Sequence, residues 1–306
     1  MKKRLILLAC LGLSLCSGLR AATPIRVPDL REKTMVAPRW FGPNAFPVPE
    51  ITDGRVKDKL CFELAGDYCR GHLTDGQDDT YDLFLRAWIP LFSDRVNLSL
   101  WMPAVERWSY DASVREARRI LSDPDLDPGY GSGDVYVGLD IQLLTETARR
   151  PAVMVRSVLK TASANCFGYA RDYDSPGYFF DITAGKGWGR FRASATTGFL
   201  CWQTGTGRQN DAIQYGLGAF YDGKVLNVAA QWGGYFGWER YGDAPMTLRL
   251  RLGFDLGQRN SSSTRSGSSA PRSHLTTARP EPFLQLQQGL QDYPFTQLRL
   301  GCAWRF

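Results

Sequence analysis

The stretch TQLRLGCAWRF at residues 296–306 alternates between two kinds of side chain. Every second residue from Leu298 to Phe306 is apolar, and Arg299 and Arg305 stand among the residues between them. A period of two over this length predicts a β-strand with one apolar face and one polar face. Chain ends usually fray, but here the apolar phase continues to the last residue. We therefore expect this strand to be paired to its end and its apolar face to meet an apolar environment.

The other end of the chain predicts export from the cytoplasm. Residues 1–22, MKKRLILLACLGLSLCSGLRAA, combine a basic start, an apolar run and small residues at Ala21 and Ala22. This is the pattern of a secretory signal peptide, and its apolar run is too short for a transmembrane helix. Cleavage is expected near Ala21 or Ala22. Lipid attachment at Cys10 or Cys16 is the less favoured alternative.

Charge and cysteine content exclude several classes of protein. Residues 1–22 contain four basic and no acidic residues, so the mature chain has 33 Lys and Arg against 31 Asp and Glu, a net charge of +2. This balance, without a basic arm or a basic motif, predicts no nucleic-acid partner. The mature cysteines number five and are scattered without CxxC spacing, which favours free thiols over a disulfide or zinc framework.

From residue 58 the chain consists of short alternating segments. They include LCFELAGDY near residue 60, YDLFLRAWI near 81, VNLSLWM at 96–102, VYVGLDIQLL at 135–144 and MTLRLRLGFDL at 246–256. Further segments begin near residues 152, 178, 190, 212, 225, 282 and 295, which makes about twelve strands, mostly 9–13 residues long. Tight turns (92–95, 186–189, 221–224) alternate with longer links (71–79, 103–132, 161–176, 203–210, 236–244). This alternation is typical of an up-and-down barrel in an outer membrane.

Three further segments stand apart from the strands. Residues 23–57 are a Pro-rich extended lead, with four prolines in APRWFGPNAFPVPE; such a segment is neither helix nor central strand. It serves either as a plug or docking segment, or as a periplasmic tail. The Ser-rich insert 258–281 is predicted to be disordered. Counting the strands places it on the side of the barrel where the turns are short, so it stands where a short turn is expected. Residues 113–121, SVREARRIL, predict a short loop helix with Ser113 and Glu116 as a capping box. An exposed loop helix is favoured over one that covers the mouth of the barrel or folds into the lumen.

A soluble barrel and a membrane barrel both show a period of two. Three observations favour the membrane: the signal peptide, a strand length near ten that suits a tilted bilayer crossing, and the terminal strand that ends in phase on Phe306. The sequence therefore predicts an all-β fold, a transmembrane up-and-down antiparallel β-barrel of about 12 strands over residues 58–306. Its last strand is expected to pair with residues 59–70, which leaves no open edge.

Two stretches carry a resemblance to known families. LRLGCAWRF resembles the C-terminal strand by which outer-membrane β-barrels are recognised by the assembly machinery, and this implies an assembly signal at Trp304 and Phe306. YGSGDVYVGLDIQLL (130–144), after WIPLFSDRVNLSLWMP (88–103), loosely resembles the outer-membrane transporter family associated with aromatic-compound (phenol) degradation. That resemblance implies architecture over about residues 60–190 rather than a substrate, and the Pro-rich lead and Ser-rich insert depart from the family.

The polar face of each strand should point into the barrel. Arginines of late strands and acids of the first two should then meet in one sector, either lining a pore or filling a narrow lumen with ion pairs. The predicted lumen-lining residues are Glu63, Asp67, Asp82, Arg86, Asp140, Arg156, Asp181, Arg192, Arg249, Arg251, Asp255 and Arg299, with Lys160 beside them. The aromatic run QWGGYFGWERYG (231–242) favours a girdle at the membrane interface over a ligand surface at the mouth.

The mature sequence offers little for catalysis. His72 and His274 are its two histidines, and neither lies in a GxSxG or HExxH context. We therefore expect no catalytic residue, no metal site and no cofactor. The predicted function is passage of small solutes or hydrophobic compounds through a barrel in the Gram-negative outer membrane, reached after Sec export. Its partners would be outer-membrane lipid, the barrel-assembly machinery and a small solute. The alternative is a non-conducting structural, adhesin or complex-partner barrel.

Overall fold

The computed structural model describes residues 37–91, 94–118, 129–164, 176–204, 208–238, 241–256 and 278–306. The predicted signal peptide, most of the Ser-rich insert, Cys166 and His274 lie outside these residues. The described part contains thirteen strands and one short α-helix, α1 (Ala112–Arg118). The strands are β1 (Cys61–Gly71), β2 (Asp78–Pro90), β3 (Val96–Tyr110), β4 (Gly129–Gly131), β5 (Tyr136–Leu144), β6 (Ala152–Lys160), β7 (Gly177–Trp188), β8 (Phe191–Thr204), β9 (Arg208–Asp222), β10 (Leu226–Gly237), β11 (Met246–Phe254), β12 (Arg279–Gln291) and β13 (Phe295–Arg305).

Twelve of these strands close into an antiparallel barrel, as predicted. Each pairs with its neighbours in sequence, and β1 pairs with both β2 and β13, so the last strand meets the first. The closing register sets Cys61 opposite Arg305 and Gly71 opposite Phe295. The three-residue β4 pairs with β3 beside the barrel strand β5. Closure gives every described barrel strand a partner on both sides, which removes the open edges of a flat sheet.

The two faces of the barrel wall differ in polarity. On β1 the alternating burial pattern places Glu63 and Asp67 inside, while Phe62 and Leu64 remain exposed outside. The same inversion recurs around the barrel, with exposed Leu83, Leu139, Ile182, Leu217 and Leu300 on the outer surface. A soluble protein buries its apolar side chains and exposes its polar ones. Here the outer surface is apolar and the interior is rich in charge.

Some strand boundaries differ from the prediction. The sequence predicted a link over residues 103–132, yet β3 continues to Tyr110. The β2–β3 register shifts by one residue between Leu83 and Phe84, directly opposite Pro103. This bulge accommodates a residue that has no N–H to donate. The β7–β8 turn also lies later than predicted, at residues 189–190, where Gly189 adopts a positive φ of 62°.

The long connection that contains the Ser-rich insert lies between β11 and β12, on the side of the barrel where the sequence placed it. Strand β11 ends at Phe254 and β12 begins at Arg279, so the long connection lies at the same end of the barrel as Phe306. The strand count around the insert was therefore correct. Strand β12 already contains residues 279–281, which the sequence had assigned to the insert.

The loop helix is present over Ala112–Arg118 and is capped differently from the prediction, and residues 119–121 of the predicted helix lie outside the described ranges. Asp111, not Ser113, accepts hydrogen bonds from the backbone N–H groups of Ser113 and Val114, at 3.0 and 3.2 Å. The Ser113 hydroxyl donates to the same carboxylate and, as the largest influence, holds the pKa of Asp111 below its usual range. Val114 and Arg118 are buried, so α1 packs over the barrel instead of standing exposed. No helix in the described ranges is long and apolar enough to cross a membrane.

Candidate functional site: the lumen and the segment that crosses it

The barrel has two ends that can be named by the chain. We call the end where β1 begins and β13 finishes the terminal end, and the other the opposite end. The described part of the lead, residues 37–57, lies at the opposite end near Arg39, whose N–H donates to the Gly242 carbonyl at 3.1 Å. The Arg39 guanidinium also pairs with Asp292, in the β12–β13 turn, at 3.2 Å. The lead then runs down the lumen and joins β1 at the terminal end.

An apolar cluster, which we call the apolar seal, fills the lumen toward the opposite end. The lead contributes Phe41, Phe46 and Val48, and the rings of the two phenylalanines pack edge-on at 4.7 Å. The wall contributes inward-facing side chains from many strands: Tyr136, Val158, Phe179, Leu200, Trp202, Ala212, Tyr235, Tyr293 and Phe295. Because these side chains are almost fully buried, the seal excludes water from this part of the lumen.

Tyr235 departs from the predicted aromatic girdle. Trp232, Phe236 and Trp238 of the same run are exposed on the outer surface, but Tyr235 is fully buried inside the seal. Its hydroxyl donates to the Phe46 carbonyl of the lead at 3.2 Å. A run of mixed aromatics on one strand thus serves both faces of the wall.

The wall supplies hydrogen bonds along the backbone of the lead. The Tyr293 hydroxyl donates to the Pro43 carbonyl at 3.0 Å, and Ser194 donates to the Thr52 carbonyl at 2.7 Å. Gln142 binds both sides of the chain, accepting from the Val56 N–H and donating to the Gly54 carbonyl. The prolines of the lead have no N–H to satisfy, which lowers the number of donors that a closed lumen must match. The prolines, which argued against a helix in the lead, therefore suit a segment that is enclosed by a polar wall.

Glu50 of the lead lies at the centre of the charged lumen. Its carboxylate pairs with Arg86 at 2.7 Å and lies 3.7 Å from Arg299. Arg249 interacts electrostatically with the same carboxylate and donates to the Val48 carbonyl at 2.8 Å. Arg156 donates to the backbone carbonyl of Glu50 at 2.9 Å. Four arginines from β2, β6, β11 and β13 therefore hold one residue of the lead.

Other predicted lumen residues form ion pairs within the wall. Arg299 binds Asp67 through two hydrogen bonds of 2.6 Å, and Arg251 pairs with Glu63 at 2.8 Å. Arg156 pairs with Asp181 at 2.5 Å. The first two pairs link acids of β1 with arginines of β13 and β11, the sector in which the sequence placed them. Fork-shaped arginine contacts to carboxylates are strong and directional.

The remaining predicted residues lie at different heights. Asp82 accepts a hydrogen bond from Asn44 of the lead at 2.7 Å. Asp140 is buried beside Ser99, and Asp255 lies at the terminal end against the open cavity. Lys160 forms an ion pair with Asp134 toward the opposite end, and Arg192 forms one with Glu146 in the β5–β6 turn. Of the predicted assembly signal, Trp304 stacks on Phe62 at 6.0 Å, and Phe306 is half exposed just after β13.

A cavity of about 790 Å³ occupies the lumen beside the lead, on the terminal side of the seal. Its charged lining includes Glu50, Arg86, Arg249 and Arg299, and Trp88 and other aromatic side chains contribute apolar surface. Near the terminal end it meets Lys57 of the lead, then Asp58 and Lys59, which precede β1, and Arg305. A volume of this size is typical of small-molecule pockets.

Two glycines of the wall make a recess for the lead that the sequence analysis missed. A Cβ on Gly216 of β9 would lie 2.1 Å from the Ile51 Cδ1 atom, and a Cβ on Gly233 of β10 would lie 3.1 Å from it. Ile51 can therefore enter the wall only where both positions lack a side chain. Gly216 in YGLG and Gly233 in WGGY stand in inward phase, but nothing local identifies their partner 165 or more residues away.

The β5–β6 turn at the terminal end is stabilised by Glu146. The Gly187 N–H donates to its carboxylate at 2.8 Å, and Arg192 and Lys186 lie beside it. This backbone hydrogen bond, followed by the two cations, lowers the pKa of Glu146 to about 2. The described residues contain no cluster of His, Cys, Asp and Glu suited to a metal ion, and within them Cys61, Cys69, Cys201 and Cys302 form no disulfide.

Comparison with solved structures agrees with this architecture. An outer membrane channel from Pseudomonas putida F1 is similar with a TM-score of 0.56 at 12% identity, covering 84% of this chain and all of that one. The NanC porin gives a TM-score of 0.49 at 10% identity, and the KdgM porin 0.44 at 9%, each over 80% of this chain. No protein-family model and no curated protein matches the sequence. At this identity the first likeness supports the fold, a closed barrel of outer-membrane channel type.

Proposed function

We propose that the protein is an outer-membrane channel for small or hydrophobic solutes whose lumen is closed by its own lead segment. The single observation that carries the proposal is the lead itself, which crosses the lumen beside a cavity of about 790 Å³. A barrel filled only by its wall side chains would leave no such space. Withdrawal of the lead would join this cavity to the opposite end and open a path.

The surface supports placement of this channel in a bilayer. Its outer face carries exposed Leu, Ile and Phe side chains on strands of 9–15 residues, while the lumen holds the charge. Hydrocarbon favours this arrangement, and closure satisfies the backbone groups that lipid cannot. The partners in this proposal are outer-membrane lipid, the barrel-assembly machinery acting on Trp304 and Phe306, and a small solute. We propose no enzymatic activity.

A non-conducting structural barrel is the second candidate. The apolar seal and the hydrogen bonds along the lead favour it, because both oppose withdrawal of the segment. The two candidates differ in whether the closed lumen can open, so conductance separates them.

The test compares the refolded mature protein with a variant that lacks residues 23–57, each in a planar lipid bilayer. We expect rare steps from the full chain and frequent, well-defined steps from the deletion, since the lead precedes β1 and its removal leaves all twelve barrel strands. Heat-modifiable gel mobility verifies that both proteins are folded. Silence from a folded deletion variant would contradict the channel and support the structural barrel.

A further inference from the structure

We propose that the lumen carries a binding site for the carboxylate group of a small solute, formed by Arg86, Arg249 and Arg299, and that Glu50 of the lead occupies this site in the closed state. The inference rests on the plugged channel proposed above, and it adds the chemical class of the solute. Glu50 acts as a tethered carboxylate that a free carboxylate can replace.

The arginines of the lumen fall into two groups by their partners. Arg156, Arg192 and Arg251 each pair with a carboxylate that belongs to the wall or its turns. Within the described ranges Arg86 pairs with no wall carboxylate, and its ion pair is with Glu50. Arg249 likewise lacks a carboxylate at ion-pair distance among those residues. It donates instead to Gln287 at 2.5 Å and to carbonyls of the lead.

Arg299 contributes part of its fork to the same site. Its Nε and Nη2 atoms bind Asp67, each at 2.6 Å. Its Nη1 atom is buried without a hydrogen-bond partner among the described residues and lies 3.7 Å from the Glu50 carboxylate. An unmatched donor on a buried guanidinium is costly. Arg86 and Arg299 thus meet a carboxylate carried by a segment outside the wall, and Arg249 binds the carbonyls of Val48 and Pro49 beside it.

Withdrawal of the lead would remove from Arg86 its carboxylate at ion-pair distance and from Arg249 the nearby anion of the lead. Arg299 would keep Asp67, and Glu63 would remain the cross-strand neighbour of Arg86. A lumen of low dielectric strengthens the attraction of such cations for a solute carboxylate, and guanidinium forks match carboxylate geometry. An incoming carboxylate would restore the contacts that Glu50 makes, and so the bound solute and the docked lead exclude each other.

The aromatic side chains around the three arginines indicate the chemical nature of the rest of the solute. The Arg86 guanidinium lies over the rings of Phe84, Trp88 and Trp101, at 4.9, 5.2 and 5.5 Å from their centroids. The Arg299 guanidinium lies 3.7 Å from the centroid of Phe84. These rings line the same cavity as the cations. A small carboxylate with an aromatic or apolar body fits both features, and benzoate is the simplest probe.

The competition has a measurable strength. A tethered group acts at an effective concentration in the millimolar range or above. Benzoate should therefore bind the unmodified protein weakly, because it must displace Glu50. Removing the charge of Glu50 without changing its shape should remove this competition.

The experiment is calorimetric titration of benzoate into the refolded full-length protein in detergent. We expect Glu50→Gln to lower the dissociation constant at least tenfold relative to the unmodified chain, with Glu50→Ala as a second variant. Arg86→Gln added to Glu50→Gln should abolish the gain. Arg190→Gln, an exposed change of equal charge in the β7–β8 turn, is the matched control and should leave the gain in place. Benzamide, the neutral analogue, should not bind.

Two results would overturn the site. Equal affinity of the unmodified and Glu50→Gln proteins for benzoate would show that Glu50 does not occupy it. Equal binding of benzamide and benzoate would show that no carboxylate is recognised. Either result could accompany a deletion variant that conducts, in which case the channel stands and the carboxylate site is wrong. Benzoate binding with a silent deletion variant would uphold the site and contradict the channel.

Discussion

Arg299 and Arg305 lie on the same strand, six residues apart, and form ion pairs in opposite surroundings. The side chain of Arg299 is 7% exposed and binds Asp67 in the lumen, whereas that of Arg305 is 55% exposed and pairs with Glu281 at the rim. Removal of one partner from a buried pair leaves an uncompensated charge, which costs about 3–5 kcal/mol. An exposed pair contributes at most about 1 kcal/mol.

We therefore expect Arg299→Gln to lower the free energy of unfolding by about 3–5 kcal/mol, and Arg305→Gln by less than about 1 kcal/mol. Denaturant titration of the two variants in the same detergent measures the difference. Equal losses for both variants would mean that the lumen is hydrated enough to screen Asp67, contrary to its burial in the structure.

The stability contributed by Glu146 should depend on pH. Its folded-state pKa is lowered to about 2 by the Gly187 N–H and the adjacent cations, so its contribution is complete above its unfolded pKa of about 4.3. The contribution is lost as pH falls from that value toward about 2. The difference in unfolding free energy between the unmodified protein and Glu146→Gln should therefore shrink over this interval. A difference that stays constant between pH 6 and pH 2 would contradict the contact.

The sequence predicts which way a residue faces better than which residue it meets. Alternation places Glu63, Asp67 and Arg299 inside, because the period of a strand fixes its faces. It contains no information on the partner of Arg86, since Glu50 lies on an irregular segment 36 residues away. The sequence therefore predicts the direction in which these residues face, but it does not predict that arginines of distant strands meet at Glu50.

At the scale of elements, the lead is held by shape as well as by charge. Ile51 enters the recess at Gly216 and Gly233, and the Ile51 N–H donates to Gln231 at 3.0 Å. The sequence left plug and tail as alternatives for this segment. Both suit a proline-rich extended chain, and only the wall, built from distant strands, distinguishes them.

Gly216→Val should loosen the lead, because its side chain would occupy the space of Ile51. Overpacking of this kind costs about 1–3 kcal/mol. The Gly216→Val protein should therefore show conductance steps at least about tenfold more often than the unmodified protein. Gly66→Ala is the control, since a Cβ there meets nothing within 4 Å. An unchanged step frequency in Gly216→Val would mean that the recess does not hold the lead closed.

At the scale of the molecule, the closing of β1 on β13 follows from the pattern of the last eleven residues. An apolar face that continues to Phe306 needs a partner strand, and the first alternating segment offers one. The structure sets Leu64 opposite Cys302, both on the outer side of the wall. The height of the wall, the bulge at Pro103 and the path of the lead depend on contacts between distant strands, which a period of two does not encode.

Leu64→Cys should form a disulfide with Cys302 when Cys61, Cys69, Cys166 and Cys201 are replaced by Ser. Directly opposed residues lie within disulfide reach, and diagonal ones do not. Non-reducing gel mobility after heating detects the closed loop. Phe62→Cys in the same background is the control and should remain reduced, since its partner is Trp304. A cross-link at position 62 but not at 64 would contradict the register.

The central claim is that the lead is the gate, and a reversible tether tests it most directly. A Cβ on Gly216 of the wall would lie 2.7 Å from the Ile51 Cγ1 atom, so Ile51→Cys and Gly216→Cys would have their Cβ atoms within disulfide reach and should form a disulfide in a background whose native cysteines are Ser. With Glu50→Gln added to weaken docking, single-channel conductance is recorded before and after a reductant. We predict silence from the oxidised protein and steps once the tether is reduced. Equal conductance in both states would show that the lead does not close the lumen.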